Sequence, residues 1–271
     1  MNISSKIFDI SIINNVIIHE KTTSTNTLAK DYIMKGCVDG TLILAKEQTA
    51  GRGRMERSFS SPSGDGIYMS LVVKPDISPE LVSQITLPIA LSIVDAIGEI
   101  YNIPAKIKWP NDVLINSKKV SGILTEYKNG HVIIGVGINV NNKELPGELT
   151  STATSLYLES GISHELYTLI ESIFKYFDGY YKSFLSDNNL SSIQEAYNNC
   201  LISYGKEVYI IPHSRTVGSI NPMLISTEDL SPYLCKGISS TGDLICIDSE
   251  GTAHSINSGE VSIRGLHGYA Q

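Results

Sequence analysis

Apolar and polar residues alternate in two rhythms along this chain, and each rhythm predicts an element type. Residues 12–19 read as a short opening strand. A stretch dense in side-chain oxygens, 22–26, follows and can cap a helix. Leu28, Ala29, Tyr32 and Ile33 then recur at helical spacing, with Gly36 as the stop. Residues 41–46 predict a buried strand and 67–73 another, with a turn-rich bridge over 60–66. Ser78, Pro79 and Glu80 form a helix start: an N-cap, proline in the first turn, then an acid. The apolar face of that helix runs from Leu81 to about Tyr101, and Pro88 inside it should kink or split it.

Three strands come next. The pattern predicts one over 105–115 and a second over 119–127, with a turn at Asn116-Ser117. Asn129-Gly130 is a preferred two-residue hairpin turn and leads into a strand over 131–140. An antiparallel meander excludes a doubly wound parallel sheet. With helices over 165–185 and 193–201 the class is α+β. After residue 203 short strand-like runs (207–211, 244–247, 253–256) alternate with Gly, Ser, Pro and Asp turns, which predicts a small β-barrel. The expected organisation is a catalytic-type unit over 1–202 and a β unit over 203–271.

Composition narrows the function classes. The chain has 271 residues, is 42% hydrophobic and 18% charged, and carries a net charge of −7. Such a chain can build a core. The acidic balance argues against a general nucleic-acid binder. Cys37, Cys200, Cys235 and Cys246 lie far apart, with neither Cys-x-x-Cys nor His-x-x-x-His spacing anywhere. No secretory-type segment opens the chain, and no later stretch looks like the roughly 20 apolar residues of a membrane span. The expectation is a cytoplasmic protein.

Four segments carry chemistry. Within this acidic chain, Arg52, Arg54 and Arg57 crowd a loop with Gly51 and Gly53. Glycine lets backbone approach a ligand, and arginine pairs with phosphate or carboxylate through two donors. The loop lacks the third glycine of a dinucleotide fingerprint and the Gly-Lys-Ser/Thr of a P-loop. Lys108-Trp109-Pro110-Asn111-Asp112 places polar groups at strand positions, where they need partners. In Lys118-Lys119-Val120-Ser121-Gly122-Ile123-Leu124 the two lysines should point to opposite faces. Gly135 and Gly137 strip side chains from one face of a strand, admitting either a ligand or close packing.

Together with Ser24-Thr25-Asn26, Gln48-Thr49-Ala50 and Gly137-Ile138-Asn139, these segments resemble the biotin protein ligases in order and spacing. The resemblance covers about residues 17–185, and the tail looks like that family's SH3-like domain. It implies a central mixed or antiparallel sheet with helices on one side, of the class II aminoacyl-tRNA synthetase-like type. It also implies a two-step reaction: biotin and ATP give biotinyl-5′-AMP, and the biotinyl group passes to a lysine of a carrier protein. ATP and biotin are then substrates, with Mg²⁺ as cofactor. The acceptor is the biotin carboxyl carrier domain of acetyl-CoA carboxylase or a related carboxylase.

Carried over by position, biotin would be bound by Ser24, Thr25, Asn26, Gln48, Gly51, Arg52, Gly53, Arg54, Lys119, Gly122, Leu124, Gly135 and Gly137. The nucleotide would meet Arg54, Arg57, Phe59, Asn111, Asn139 and Lys119. Lys119, Arg54 and Lys108 form the implied catalytic set, and Asp112 the implied Mg²⁺ ligand. Phe59 stands where the family commonly has tryptophan; it keeps a stacking face and loses the indole donor. The short stretch before Thr22 leaves no room for the DNA-binding domain of some family members, so the expectation is an enzyme without a DNA or membrane partner, as monomer or homodimer. Two other readings remain open: a lipoate–protein ligase and a non-catalytic nucleic-acid-binding module.

Overall fold

The computed structural model describes residues 7, 9–54, 57–212, 230–257 and the backbone of 261–265. A strand β1 (Asn15–His19) leads to helix α1 (Thr25–Met34), and strands β2 (Thr41–Ala45) and β3 (Gly66–Val73) follow. Ser24, extended at φ −158°, is the N-cap of α1. The helix stops where Gly36 takes φ +77° and the Cys37 N–H reaches back to the Tyr32 carbonyl.

Pro88 splits its helix rather than bending it. A 3-10 helix covers Pro79–Ile85, and helix α2 (Thr86–Tyr101) starts just behind it. Pro88 thus falls in the first turn of α2, where an N–H has no intrahelical partner to lose. Contrary to the sequence expectation, 79–101 is long and apolar enough to cross a membrane, at a mean hydropathy of 1.7. Most of it is instead buried, which suits a helix apolar on nearly every side.

The expected strand over 105–115 is also corrected. It is a hairpin of β4 (Lys106–Lys108) and β5 (Asp112–Ile115), turned at Trp109-Pro110-Asn111 through a cis Trp109–Pro110 bond. Proline supplies no N–H to a strand ladder, so the run cannot continue through it. Strand β6 (Lys118–Lys128) and β7 (His131–Asn139) complete the meander, with Asn129 and Gly130 both at positive φ. Helices α3 (Leu156–Ser160), α4 (Leu166–Asp187) and α5 (Gln194–Cys200) follow.

The seven strands lie in the order β1-β2-β3-β7-β6-β5-β4, with β1 and β2 parallel and the rest antiparallel. The sheet is therefore mixed, in an α+β fold. One face carries Leu42, Leu44, Met69, Leu71, Ile134 and Val136 into a core shared with α2 and α4. The other carries Ile43, Val72 and Ile133 under Ala29 and Ile33 of α1. The larger helices do lie on one side; α1 is the exception, and its N-terminus overhangs the remainder of that second face.

A second sheet contains β8 (Glu207–Pro212), β9 (Tyr233–Ile238), β10 (Leu244–Ile247), β11 (Ala253–Ile256) and β12 (Val261–Gly265). Its order is β11-β10-β9-β8-β12, antiparallel throughout, in keeping with an SH3-like unit. Of the unit expected over 203–271, residues 213–229, 258–260 and 266–271 lie outside the described residues. Val208, Cys235 and Leu244 join the same continuous core as the large sheet. Trp109, 4% exposed, donates from Nε1 to the Gly242 carbonyl at 3.0 Å and so ties the β4–β5 turn to the second sheet.

Candidate functional site

Strand alternation dictates what the α1 face of the sheet offers. Tyr68, Gly137, Gly122 and Asp112 stand in one row of paired positions; Ser70, Gly135 and Leu124 stand in the next. Two of the four strands contribute glycine to these rows, so a cleft forms there.

Lys119 reaches this face through an irregularity. Strict alternation would group residue 119 with Ser121 and Ile123 and send it into the core. The β5–β6 register slips between Val113 and Leu114, where Val120 is one residue too many. Such a bulge resets the parity of a strand. Val120 then joins the core, while Lys119 pairs with Leu114 on the face that holds Asp112 and Gly122. Lys119 Nζ lies 2.7 Å from Asp112 Oδ1. Lys118 points elsewhere, donating to the Thr150 carbonyl at 3.1 Å, so the two lysines do diverge.

The N-terminus of α1 supplies the second wall. Ser24 makes no capping bond to its own helix. The Thr25 N–H is satisfied instead by Gln48 Oε1 at 2.8 Å, and Gln48 Nε2 donates to Ser61 Oγ at 2.9 Å. Gln48 therefore clamps the helix start to both ends of the arginine loop. That loop is a narrow hairpin, bridged at Gln48–Ser61 and again at Arg52–Ser58. Gly51 packs beneath it, against the Phe59 carbonyl and Ser61, where a side chain would not fit.

The loop brings its cations over the cleft. Arg54 Nη1 donates to Asn111 Oδ1 at 3.2 Å, and Asn111 is held in turn by the Ile123 carbonyl at 3.0 Å. Burial lowers the pKa of the Arg54 guanidinium; the charge of Asp112 opposes that shift, and Arg57 adds to it. Arginine keeps its charge in folded proteins, so the group stays cationic. Arg52 Nη1 lies 3.4 Å from Glu126.

The space left by Gly137, Gly122 and Gly135 is occupied by the protein's own side chains. A Cβ on Gly137 would stand 2.6 Å from the Phe59 ring, and one on Gly122 would stand 2.9 Å from Lys119 Nζ. At Gly135 the obstacle would be the Asn26 amide. Phe59 also meets Tyr68 edge-on at 6.5 Å between centroids.

Of the residues singled out from sequence, Ser24, Thr25, Asn26, Gln48, Arg52, Gly53, Arg54, Phe59, Asn111, Lys119, Gly122, Leu124, Gly135 and Gly137 line this one cleft. Five do not. Gly51 supports the loop from below, and Arg57 is exposed, its carbonyl accepting from the Gly53 N–H at 2.7 Å. Lys108 pairs with Asp112 in the β4–β5 register, one step outside the wall. Asn139 is buried and donates to the Thr154 carbonyl at 3.0 Å. Asp112 stands behind Lys119, which it meets at 2.7 Å. Among the described residues no three His, Cys, Asp or Glu side chains gather as a metal cluster. A protein-built metal cage does not fit here; a cation held chiefly by ligand phosphates, with Asp112 as the single carboxylate, does.

Sequence reasoning missed Ser70, Lys30 and Glu126. Ser70 Oγ, fully buried, bonds Thr25 Oγ1 at 2.8 Å and Asn26 Oδ1 at 2.7 Å. Its signal was available: it is the one small polar residue inside the buried run 67–73. Glu126 carries the other half of the Asn26 amide. Burial raises its pKa, but hydrogen bonds from Lys30 and Asn26 and the charges of Lys30 and Arg52 outweigh that and hold the carboxyl below its usual 4.5.

Residues 18–139 match the model of the biotin/lipoate A/B protein ligase family. The fold is similar to that of the biotin protein ligase from Aquifex aeolicus in complex with biotin and ATP. That likeness has a TM-score of 0.79 at 30% identity and covers 93% of this chain and 100% of that one. The bifunctional ligase/repressor BirA of Bacillus subtilis is 40% identical over 179 residues, 64% of this chain and 55% of that protein. The biotin–[acetyl-CoA-carboxylase] ligase of Mycobacterium tuberculosis is 35% identical over 148 residues, 53% and 54% of the respective chains. The chain thus spans about half the length of the curated relatives it matches.

Proposed function

The chain belongs to the biotin protein ligase family, and from that premise we propose that it is an ATP-dependent ligase that activates biotin and attaches it to a carrier protein. In the first step a biotin carboxylate oxygen attacks the α-phosphorus of ATP; the bond to the β-phosphate oxygen breaks, giving biotinyl-5′-AMP and pyrophosphate. In the second the ε-amine of a carrier lysine attacks the acyl carbon, loses a proton and displaces AMP. The acceptor is a biotin carboxyl carrier domain, and the setting is the cytoplasm.

One observation carries this reading: Arg52, Arg54 and Lys119 converge from a loop and a bulged strand on a single glycine-lined cleft. Two anions repel, and preorganised cations at the point of contact offset that repulsion where charge develops. Lys119 can leave Asp112 for the carboxylate and α-phosphate oxygens. Ser24, Thr25 and Gln48 hold the polar ring of biotin, and Leu124 with the glycines forms its wall. Arg54, Asn111 and Phe59 face the nucleotide, with Phe59 vacating the space against Gly137 to stack on adenine. Asn139 and Arg57 are outlying contributors at the nucleotide end, and Lys108 is an outlying member of the catalytic set. Asp112 would be the protein ligand of a Mg²⁺ held chiefly by the phosphates, whose charge the metal would offset. The unit over 1–202 holds this chemistry, and the unit over 203–271 braces it through the Trp109–Gly242 contact.

The test is biotin-dependent exchange of labelled pyrophosphate into ATP. Exchange with biotin and none with lipoate supports the reading. Exchange with lipoate alone makes the chain a lipoate ligase. Tight, salt-sensitive nucleic-acid retention without exchange makes it a binding module.

A further inference from the structure

Glu126 lies on β6 two residues beyond Leu124, with its side chain 19% exposed. Its oxygens are shared unequally. Oε2 accepts from Asn26 Nδ2 at 2.9 Å. Oε1 is 2.7 Å from Lys30 Nζ but 3.4 Å from Arg52 Nη1. Asn26 and Lys30 are four residues apart on α1, so both project from one side of the helix onto the same carboxylate.

Asn26 is fully engaged. Its Nδ2 also donates to the Leu124 carbonyl at 3.1 Å, and its Oδ1 accepts from Ser70. It has no donor left for a ligand, so it fixes the junction of helix and sheet. Arg52 is the opposite case: 45% exposed and loosely paired. A carboxylate beneath an arginine competes with any anionic ligand of that arginine. The closer ammonium of Lys30 takes up much of the Glu126 field, and Coulomb attraction weakens with distance.

We propose that Glu126 and Lys30 act as a positioning pair for Arg52. Glu126 holds the guanidinium at the rim of the cleft, in register with Asn26. Lys30 keeps that hold weak enough for the carboxylate of the bound acid to take Arg52 away. This rests on the reading above, in which Arg52 is one of the cations that meet the two anions, and assigns it the carboxylate of biotin. Neither residue touches the reacting atoms; both act through Arg52.

Calorimetric titration of the full chain with biotin and with biotinol, the alcohol that lacks the carboxylate, tests the pair. In Lys30→Met, Arg52 becomes the only cation left on Glu126 among the described residues. Biotin affinity should fall about fivefold to tenfold, the scale of a typical coupling between neighbours. Biotinol affinity should stay within about twofold of wild type, because no anion competes for Arg52. Adding Glu126→Gln should restore most of the lost biotin affinity, since the amide still accepts from Asn26 but no longer retains Arg52. A role for Lys30 in structure alone would weaken both ligands and gain nothing from the second change. Unchanged biotin affinity in Lys30→Met, or equal loss for both ligands, overturns the proposal and leaves the ligase reading standing. A wild-type chain that does not bind biotin overturns both. The ligand comparison in Lys30→Met decides the matter even if the double variant does not fold.

Discussion

The two faces of the large sheet are built from the same strands and obey different rules. On the α2 and α4 face, Leu42, Leu71, Ile134 and Val136 are buried aliphatics that touch one another. Their identities answer to volume and packing. On the α1 face the interleaved positions are Ser70, Gly135, Gly137, Gly122 and Glu126, where small or polar residues interrupt what could be a second core. The packed apolar cluster of that face is the patch beneath Ala29 and Ile33. Stability is concentrated on one side of a single layer and chemistry on the other, a separation that a two-residue period makes available to any strand.

Substitutions on the two faces should therefore fail in different ways. The largest effect is expected for Lys119→Ala. Loss of one preorganised cation should lower the adenylation rate about 10²–10³-fold, while the thermal midpoint stays close to wild type. A near-normal rate in a folded variant would remove Lys119 from the mechanism. Leu71→Ala, on the opposite face and two strands away, should cost about 2–5 kcal/mol of stability by leaving a cavity. Its adenylation rate per folded molecule should hardly change. If that rate dropped as far as in Lys119→Ala, the separation of the faces would be wrong.

Phe59→Ala should weaken ATP by about 1–3 kcal/mol, the scale of base–aromatic stacking. Equilibrium binding of a non-hydrolysable ATP analogue reads this directly, and unchanged affinity would leave Phe59 as mere packing against Gly137. The smallest effect concerns pH. The folded-state pKa of Glu126 lies below its usual 4.5, so its contribution to stability is complete above that value. It is lost as pH falls through the lower, folded-state value. The urea midpoint of wild type should exceed that of Glu126→Gln by a constant margin at neutral pH and by a shrinking one in acid. A margin indifferent to acid would mean that the carboxylate charge does not matter there.

Much of this arrangement was legible in the sequence because it is periodic or punctuated. The hairpin at Asn129-Gly130, the helix start at Ser78-Pro79 and the core stripe of α4 follow from local rules. What periodicity does not show arises where a single residue changes the register. Pro110 turns one expected strand into two, and Val120 adds the residue that brings Lys119, already singled out for the site, to the cleft side. Alternation counted along the chain cannot reveal a bulge, because the extra residue is defined only against its partner strand. Arg52, Arg54 and Lys119 stood out in the chain because glycines flank them or lie close by. Ser70, Lys30 and Glu126 did not, because their roles exist only as contacts with Asn26 and Arg52 across long sequence separations.

The central claim is that guanidinium and ammonium groups above the glycine rows of the α1 face join two repelling substrates. A crystal structure with biotin and a non-hydrolysable ATP analogue tests it most directly. The account predicts the biotin carboxylate and the α-phosphate side by side between Arg52 and Lys119, with the Phe59 ring moved off Gly137. Ligands bound elsewhere on the molecule, with Phe59 still against Gly137 and Lys119 still on Asp112, would contradict it.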